Sequence, residues 1–278
     1  MSGSDARAAV PRASPVWRIV FWRELRDLWI GGKALNMILL YTILLGIYAY
    51  LFASNSELNL LPQNEVVLEI VKASIAVGGF ICLTIGADSF SGERERSTLE
   101  SLLLTPISRR EIVVGKFLAA VSPWAVAALV AVPYWITLAK GDAILGPTAV
   151  EGIVLGTLLA IAFAGVGMLV SVWCNSNKTS MLISLGLFVL LMFLSEFGPT
   201  DRGAQLEVAS DYLQWVNPLA AVSRVLSATA MNHAPLHSLW IWIATPVLFP
   251  LVTLTLLFAL AGPGLRLNAG SDRIWTPT

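Results

Sequence analysis

Charged residues are scarce in this sequence of 278 residues: 13% are Asp, Glu, Lys or Arg, whereas 56% are hydrophobic. A typical soluble chain is about one-quarter charged. Eighteen basic and eighteen acidic residues give a formal net charge of zero, so the basic excess of a nucleic-acid-binding protein is missing. With a mean hydropathy of +0.73, the composition excludes a soluble globular protein and a disordered chain, and it indicates an integral membrane protein.

Cysteines and catalytic motifs are equally sparse. The two cysteines, Cys82 and Cys174, both lie in apolar runs, and two thiols make neither a disulfide framework nor a four-ligand zinc site. We interpret both as small apolar residues. The sequence contains no G-x-S-x-G and no H-E-x-x-H motif, and no apolar run pairs a carboxylate with a histidine. The residue patterns of known hydrolases are therefore absent.

Six apolar runs are long enough to cross a bilayer, which takes about 20 mostly apolar residues in a helix. The runs cover 34–53, 66–87, 112–139, 149–174, 180–197 and 239–261. They predict an all-α membrane protein with a six-span domain over 34–261, an N-terminal segment over 1–33 and a tail over 262–278. The first run is a full span long and follows 33 residues with six basic side chains, so we expect an anchor that is not cleaved.

Basic residues are distributed unequally between the two ends of the predicted spans. If both termini are cytoplasmic, all but four of the 18 basic residues lie on the cytoplasmic side. The four on the other side are Lys72, Lys140, Arg202 and Arg224. Because cytoplasmic loops carry an excess of Lys and Arg, we expect six spans with both termini in the cytoplasm.

An amphipathic pattern precedes the first span, over 16–29. It places Trp17, Val20, Phe21, Leu25 and Leu28 at helical spacing with charged residues on the opposite side. This pattern predicts a helix that lies in the inner membrane interface. The alternative is a basic anchor that only sets the orientation of the chain.

The segment between the second and third spans, SGERERSTLESLLLTPISRREIVVGK at 91–116, carries the most information. Ser97 and Glu100 have capping-box spacing, which predicts the start of a short helix, and a Thr-Pro pair ends it. Ser108 and Glu111 repeat the box and predict the start of the third span. A leucine-rich helix with charged neighbours buries its apolar face either in a soluble partner or in the membrane interface. Composition alone leaves both possibilities open.

The pattern G-E-R-E-R-S-T-L-E-S-L-L-L-T-P-I-S-R-R-E-I-V-V-G-K at 92–116 resembles the cytoplasmic loop of the ABC type-2 transporter permeases. In that exporter family the loop forms a coupling helix that sits in a cleft of the ATP-binding subunit. The six-span layout with an N-terminal interfacial helix is similar over most of the chain. Ser97 departs from the family pattern, because many relatives carry glycine there.

The resemblance implies the transmembrane subunit of an ATP-driven exporter in a bacterial-type cytoplasmic (inner) membrane, with no enzymatic activity of its own. It also implies a permease homodimer, or a heterodimer with a related permease, and two ATP-binding subunits. The coupling loop corresponds to 91–111 here. The residues assigned by the resemblance to contact with the ATPase are Glu93, Arg96, Thr98, Leu99, Glu100, Leu102, Leu103, Thr105, Pro106 and Arg109.

We expect the ATP-binding subunits to be separate chains, because no G-x-x-x-x-G-K-[ST] motif occurs in this sequence. Gly31-Gly32-Lys33 is followed by alanine, and Gly115-Lys116 is followed by phenylalanine. No cofactor is therefore expected on this chain, and ATP and Mg belong to the partner. The alternative function is a membrane-embedded enzyme or a scaffold that acts without an ATPase.

Small residues recur every four positions in the fourth span, at Gly152, Gly156, Ala160 and Ala164. Such a stripe lets another helix approach closely. The spacing alone does not distinguish packing within one subunit from packing at a dimer seam.

The predicted extracytoplasmic loop, 198–238, contains a second amphipathic stretch over 212–216. We expect an interfacial or re-entrant helix there that ends near Asn217-Pro218. The same loop carries His233 and His237, the two weak candidates for a metal site. Pro235 interrupts the helix that would align them, so we expect no metal.

Overall fold

The computed structural model describes residues 16–54, 62–99, 104, 107–139, 144–195, 212–232 and 234–264. Within these ranges all regular structure is helical, which confirms the all-α prediction. The helices are α1 (Val16–Ile30), α2 (Lys33–Ser54), α3 (Gln63–Glu95), α4 (Arg109–Ala139), α5 (Leu145–Trp173), α6 (Asn177–Ser195), α7 (Pro218–Asn232) and α8 (Trp240–Gly264). Residues 212–216 form a short helical segment, and Leu236–Leu239 form one turn of 3-10 helix.

Six of the described helices, α2 to α6 and α8, are long and apolar enough to cross a membrane, as the apolar runs predict. The largest difference from the predicted bounds lies in α3, which continues past Ala87 to Glu95. The charged residues of this extension are held by partners on neighbouring helices, described below. These polar contacts therefore set where α3 ends, and the apolar run in the sequence underestimates the length of the helix.

The centre of the bundle is the seam between α3 and α5, where the two backbones touch. A methyl group on Gly86 would lie 2.5 Å from the carbonyl oxygen of Ala164, and one on Gly167 would overlap the carbonyl oxygen of Leu83. Ala160 and Ala164 are fully buried in the same seam. Small residues on both helices allow this approach, which maximises van der Waals contact where lipid removes the hydrophobic driving force.

The helices α2 and α6 lie at the outside of the bundle. Only 22% of the apolar window of α2 and 17% of that of α6 are buried. Large apolar side chains such as Leu39, Ile43 and Phe193 are at least half exposed on them. These faces fit lipid or a second membrane-embedded chain, because neither environment penalises exposed hydrocarbon.

Helix α1 corresponds to the amphipathic pattern over 16–29. Its Val20 and Leu28 are buried, and a methyl group on Gly115 of α4 would lie 2.8 Å from the Cβ of Val20. Part of the predicted apolar face therefore packs on α4 instead of on lipid, because glycine leaves room for the α1 backbone. Ile19 and Trp22 remain exposed on α1, at 59% and 61%.

The short helical segment expected near the last span is present at 212–216, but the expected end at Asn217-Pro218 is the start of a second helix, α7. The Asn217 side chain accepts a hydrogen bond from the Leu219 N–H at 3.0 Å and donates one to the Leu191 carbonyl at 2.7 Å. Asn217 thus caps α7, and proline suits the first helical position. Buried alanines such as Ala220 and Ala221 then seat α7 in the bundle.

Candidate functional site

Helix α3 ends in a Schellman motif at the start of what we call the connecting segment, residues 97–108. The Ser97 N–H donates to the Arg94 carbonyl at 3.1 Å, and the Thr98 N–H donates to the Glu93 carbonyl at 3.0 Å. Ser97 has a φ of 57°, the left-handed conformation that glycine adopts most easily.

This conformation also shows that Ser97 is not the N-cap of the next helix, since an N-cap residue has an extended backbone. The predicted role of Ser97 in a capping box is therefore wrong: Ser97 ends α3. Thr98 follows, and its hydroxyl donates to the Glu93 carbonyl at 3.3 Å. Glu100, the other member of the predicted box, lies outside the described residues.

The connecting segment joins α4 through a complete capping box. The Ser108 N–H donates to Glu111 Oε2 at 3.2 Å, and the Glu111 N–H donates to Ser108 Oγ at 3.3 Å. This confirms the second predicted box. Both ends of the connecting segment are thus fixed to transmembrane helices by helix-terminal hydrogen bonds.

The charged run Glu93-Arg94-Glu95-Arg96 at the end of α3 turns towards different parts of the bundle. Arg94 donates to the carbonyl of Val172 at 3.1 Å and to that of Cys174, at the C-terminal end of α5. Glu95 accepts the Asn177 N–H at 3.1 Å, at the N-terminal end of α6. A cation at a helix C-terminus and an anion at an N-terminus are both favourable with the helix dipole.

Asp88, one turn and a half before this run, joins α3 to α2 and α6. Its carboxylate accepts hydrogen bonds from Lys33 Nζ and from Asn177 Nδ2, the latter at 2.7 Å. Arg96 Nη2 lies 4.0 Å from Asp88 Oδ2. The end of α3 therefore contacts the beginnings of α2 and α6 and the end of α5 through polar side chains.

Lys116 of α4 is a buried cation in the same region, with 1% of its side chain exposed. Its Nζ lies 2.9 Å from Glu93 Oε1 and 3.0 Å from Glu24 Oε1. Arg23 Nη2 of α1 is 3.4 Å from the same Glu93 oxygen. Two carboxylates compensate the desolvated ammonium, as a buried charge requires.

Lys116 did not emerge from the sequence as a site residue, although a signal was present. A lysine inside an apolar helix, beyond the charged start of the span, marks either function or a buried pair. Its two partners are 92 and 23 positions away, and no local pattern points to them.

A cavity of about 450 Å³ lies between α1, α2, α3 and α4 beside this ion cluster. Its charged lining is balanced, with four basic and four acidic side chains: Arg23, Lys33, Arg96, Lys116, Glu24, Asp27, Asp88 and Glu93. We call these eight residues the junction cluster. An open, charged space at this point leaves the helix ends room to shift relative to one another.

The residues assigned by resemblance to ATPase contact have different surroundings in the structure. Thr98 and Arg109 are exposed, whereas Leu99 is 6% exposed and belongs to the core of the chain. Leu104 is 75% exposed. Glu100, Leu102, Leu103, Thr105 and Pro106 lie outside the described residues. The connecting segment is thus anchored inward at Leu99 and presents an apolar side chain outward at Leu104.

The small-residue stripe of α5 faces other helices of the same chain. A methyl group on Gly152 would lie 2.6 Å from Val71 of α3, and one on Gly156 would lie 2.5 Å from the ring of Trp124 of α4. The spacing alone leaves two interpretations open, packing within one subunit and packing at a dimer seam. In the structure, the glycines of this stripe pack against helices of the same subunit.

The weak metal candidates are not brought into a site by the described residues. His237 lies exposed in the 3-10 turn, and His233 is outside the described ranges. No group of three or more His, Cys, Asp or Glu side chains within the described part of the chain is arranged to hold a metal ion.

Similarity to known proteins extends over most of the chain. The sequence pattern that defines the ABC-2 family transporter proteins matches residues 18–263. The chain is 25% identical over 199 residues to the probable multidrug ABC transporter permease YbhR of Escherichia coli strain K12, covering 68% of the chain and 48% of that protein. It is 42% identical over 50 residues to the ABC transporter permease protein NatB of Bacillus subtilis strain 168, covering 18% of the chain and 12% of that protein. The chain thus spans about half the length of the first relative.

Proposed function

The chain belongs to the ABC-2 family of transporter proteins, and from this premise we propose that it is the permease subunit of an ATP-driven ABC exporter. The observation that supports the proposal is the connecting segment. It carries an outward leucine, Leu104, and is bonded at one end to α3 and at the other to α4. A soluble subunit that binds this segment gains a direct mechanical connection to two transmembrane helices.

In this proposal the partner is a separate ABC ATP-binding subunit that holds ATP and Mg. A second permease, identical or related, covers part of the apolar surface left exposed on the bundle. The complex lies in a bacterial-type inner membrane with both permease termini in the cytoplasm, as the distribution of basic residues favours.

Transmission through the bundle follows from the contacts at the end of α3. When the partner displaces the connecting segment, the last turn of α3 moves with it, because two backbone hydrogen bonds of the Schellman motif join them. Arg94 and Glu95 carry the displacement to the end of α5 and the start of α6. Rigid helices then tilt about these ends and change access to a path at the other side.

Co-expression with an ABC ATP-binding subunit encoded beside its gene tests this proposal. Leu104→Asp replaces an exposed apolar side chain of the connecting segment with a charged one. Because Leu104 is 75% exposed, this change does not disturb the core of the chain. The matched control is Leu236→Asp, which changes a half-exposed leucine in the 3-10 turn, outside the connecting segment. The measurements are co-purification of the ATP-binding subunit and the ATP hydrolysis rate of the complex.

We expect Leu104→Asp to reduce both quantities strongly and Leu236→Asp to leave both close to wild type, since only the first charge would meet the partner's apolar cleft. Equal, undiminished binding by both variants would show that the connecting segment is not the docking element. Absence of any ATP-binding partner from the wild-type preparation, with turnover of a lipid or peptide by the chain alone, would instead support an enzyme.

A further inference from the structure

We infer that Lys116 is a positioning residue that ties helix α1 to the connecting segment, so that α1 moves with the ATP-binding partner. This inference rests on the proposed function. Among the described residues, Lys116 is the only lysine whose side chain is almost fully buried, with 1% exposure. A cation in such a place is tolerated only while its counter-charges stay beside it.

Glu93 makes two separate connections, one through its backbone and one through its side chain. Its carbonyl accepts hydrogen bonds from the Thr98 N–H at 3.0 Å and from the Thr98 hydroxyl at 3.3 Å. Its carboxylate meets Lys116 Nζ at 2.9 Å. A displacement of the connecting segment therefore reaches Lys116 through one residue.

Lys116 continues the connection to α1 through Glu24, whose Oε1 lies 3.0 Å from its Nζ. The backbones of α1 and α4 approach each other one residue away, at Gly115, where an added methyl group would lie 3.0 Å from the Phe21 nitrogen. Separating α1 from α4 would open this packing and also leave Lys116 with one carboxylate fewer. Both effects favour movement of α1 together with α4 and the end of α3.

The cavity beside the junction cluster gives this unit space to move. It borders α1 through Arg23, Glu24 and Asp27 and the start of α2 through Lys33. Relative motion across a space of about 450 Å³ does not require repacking of a close-packed core, which resists continuous deformation. The geometry therefore favours a shift of α1, Lys116 and the end of α3 as one body against Lys33 at the start of α2.

The test uses the complex of permease and ATP-binding subunit, with a reporter cysteine on α1. Arg26→Cys introduces the reporter at an exposed position of α1. Cys174→Ser removes the partly exposed native cysteine, and Cys82 is kept because it is buried and inaccessible to the reagent. The rate of labelling by a water-soluble maleimide is measured without nucleotide and after trapping with ATP and orthovanadate. The inference predicts different labelling rates in the two states.

Glu24→Gln removes the charge that joins α1 to Lys116 and leaves Glu93 to balance the lysine, so the variant should fold. We expect it to bind the partner and hydrolyse ATP but to lose the nucleotide-dependent difference in labelling. Asp27→Asn is the matched control, because Asp27 has a 70% exposed side chain and lies 3.9 Å from Arg23. It should keep the difference.

Lys116→Met, which removes the central charge, should lose the difference as well, and Lys116→Arg should retain most of it. Where Lys116→Met does not fold, Glu24→Gln decides. A nucleotide-dependent difference that persists in Glu24→Gln overturns the inference, and so does its absence from the wild-type complex while ATP is hydrolysed. Failure of the wild-type chain to bind any ATP-binding subunit would overturn the proposed function itself, which is a different result.

Discussion

Ser97 and Ser108 stand at the two ends of the connecting segment and meet opposite backbone requirements. Ser97 occupies the left-handed conformation at the end of α3, with a φ of 57°. Ser108 is an N-cap whose hydroxyl accepts the Glu111 N–H. The same residue type is therefore unfavourable at one end and favourable at the other, which makes the pair a direct check of both helix ends.

Ser97→Gly should stabilise the chain. A residue with a side chain in the left-handed region destabilises the folded state by roughly 1–2 kcal/mol. Glycine removes this cost, but it also increases the conformational freedom of the unfolded chain, which offsets part of the gain. We expect a gain of about 1 kcal/mol, seen as a higher midpoint of thermal unfolding in detergent. A lower midpoint would mean that the Schellman motif at α3 is not the conformation in the protein.

Ser108→Ala should destabilise the chain by about 1 kcal/mol, because the Glu111 N–H at the start of α4 loses its acceptor, the Ser108 hydroxyl. Ser54→Ala is the control, since among the described residues the Ser54 hydroxyl donates to the Tyr50 carbonyl of its own helix. The unfolding midpoints of the two variants should differ. Equal midpoints would argue against the cap.

The seam between α3 and α5 fixes the relative position of the connecting segment and the rest of the bundle. The two helices touch backbone to backbone at Gly86 and Gly167. Because backbone atoms cannot rotate away as side chains can, the seam accepts no additional carbon at these positions.

Gly167→Ala should therefore destabilise the protein by about 1–3 kcal/mol, the usual cost of overpacking. The same substitution at Gly186 of α6 meets no atom within 4 Å and should be neutral or slightly stabilising, because alanine is the better helix former. Purified yield and thermal unfolding compare the two directly. If Gly167→Ala unfolds no earlier than Gly186→Ala, the close seam does not exist.

Helices with long apolar runs could be predicted from the sequence, and α7 could not. The stretch PLAAVSRVLSATAMN has 15 residues, too few to span a bilayer, and it contains Arg224 and several small polar residues. Its burial depends on packing of alanines against other helices and on the cap from Asn217. The Asn-Pro pair that signals a stop after 212–216 is also a good start signal, and only the fold decides between the two.

The junction cluster gathers charges that are distant in sequence onto one end of the bundle. Partners such as Arg23 and Glu93 are 70 positions apart. The composition of the run at 93–96 shows that it is charged, but the identity of each partner depends on how the spans pack. For this reason the connecting segment was recognisable from its residues, whereas Lys116 and its two carboxylate partners were not.

The orientation of the chain is a prediction about the whole molecule. With both termini cytoplasmic, green fluorescent protein fused after Thr278 should fluoresce, and alkaline phosphatase inserted after residue 142 should be active. The reason is that the end of the bundle with the junction cluster also carries most of the basic residues, which resist translocation. The reverse result, an active phosphatase at the C-terminus and none at 142, would invert the topology.

We propose that the connecting segment binds a separate ATP-binding subunit, and site-specific photo-crosslinking detects that contact itself. A photoreactive amino acid replaces Leu104 in the assembled complex in native membranes, and the same amino acid replaces Leu236 as a control. We expect an ultraviolet-dependent crosslink from position 104 to the ATP-binding subunit and none from position 236. A complex that co-purifies and hydrolyses ATP, yet crosslinks from 104 only to lipid or to the permease itself, would contradict the claim.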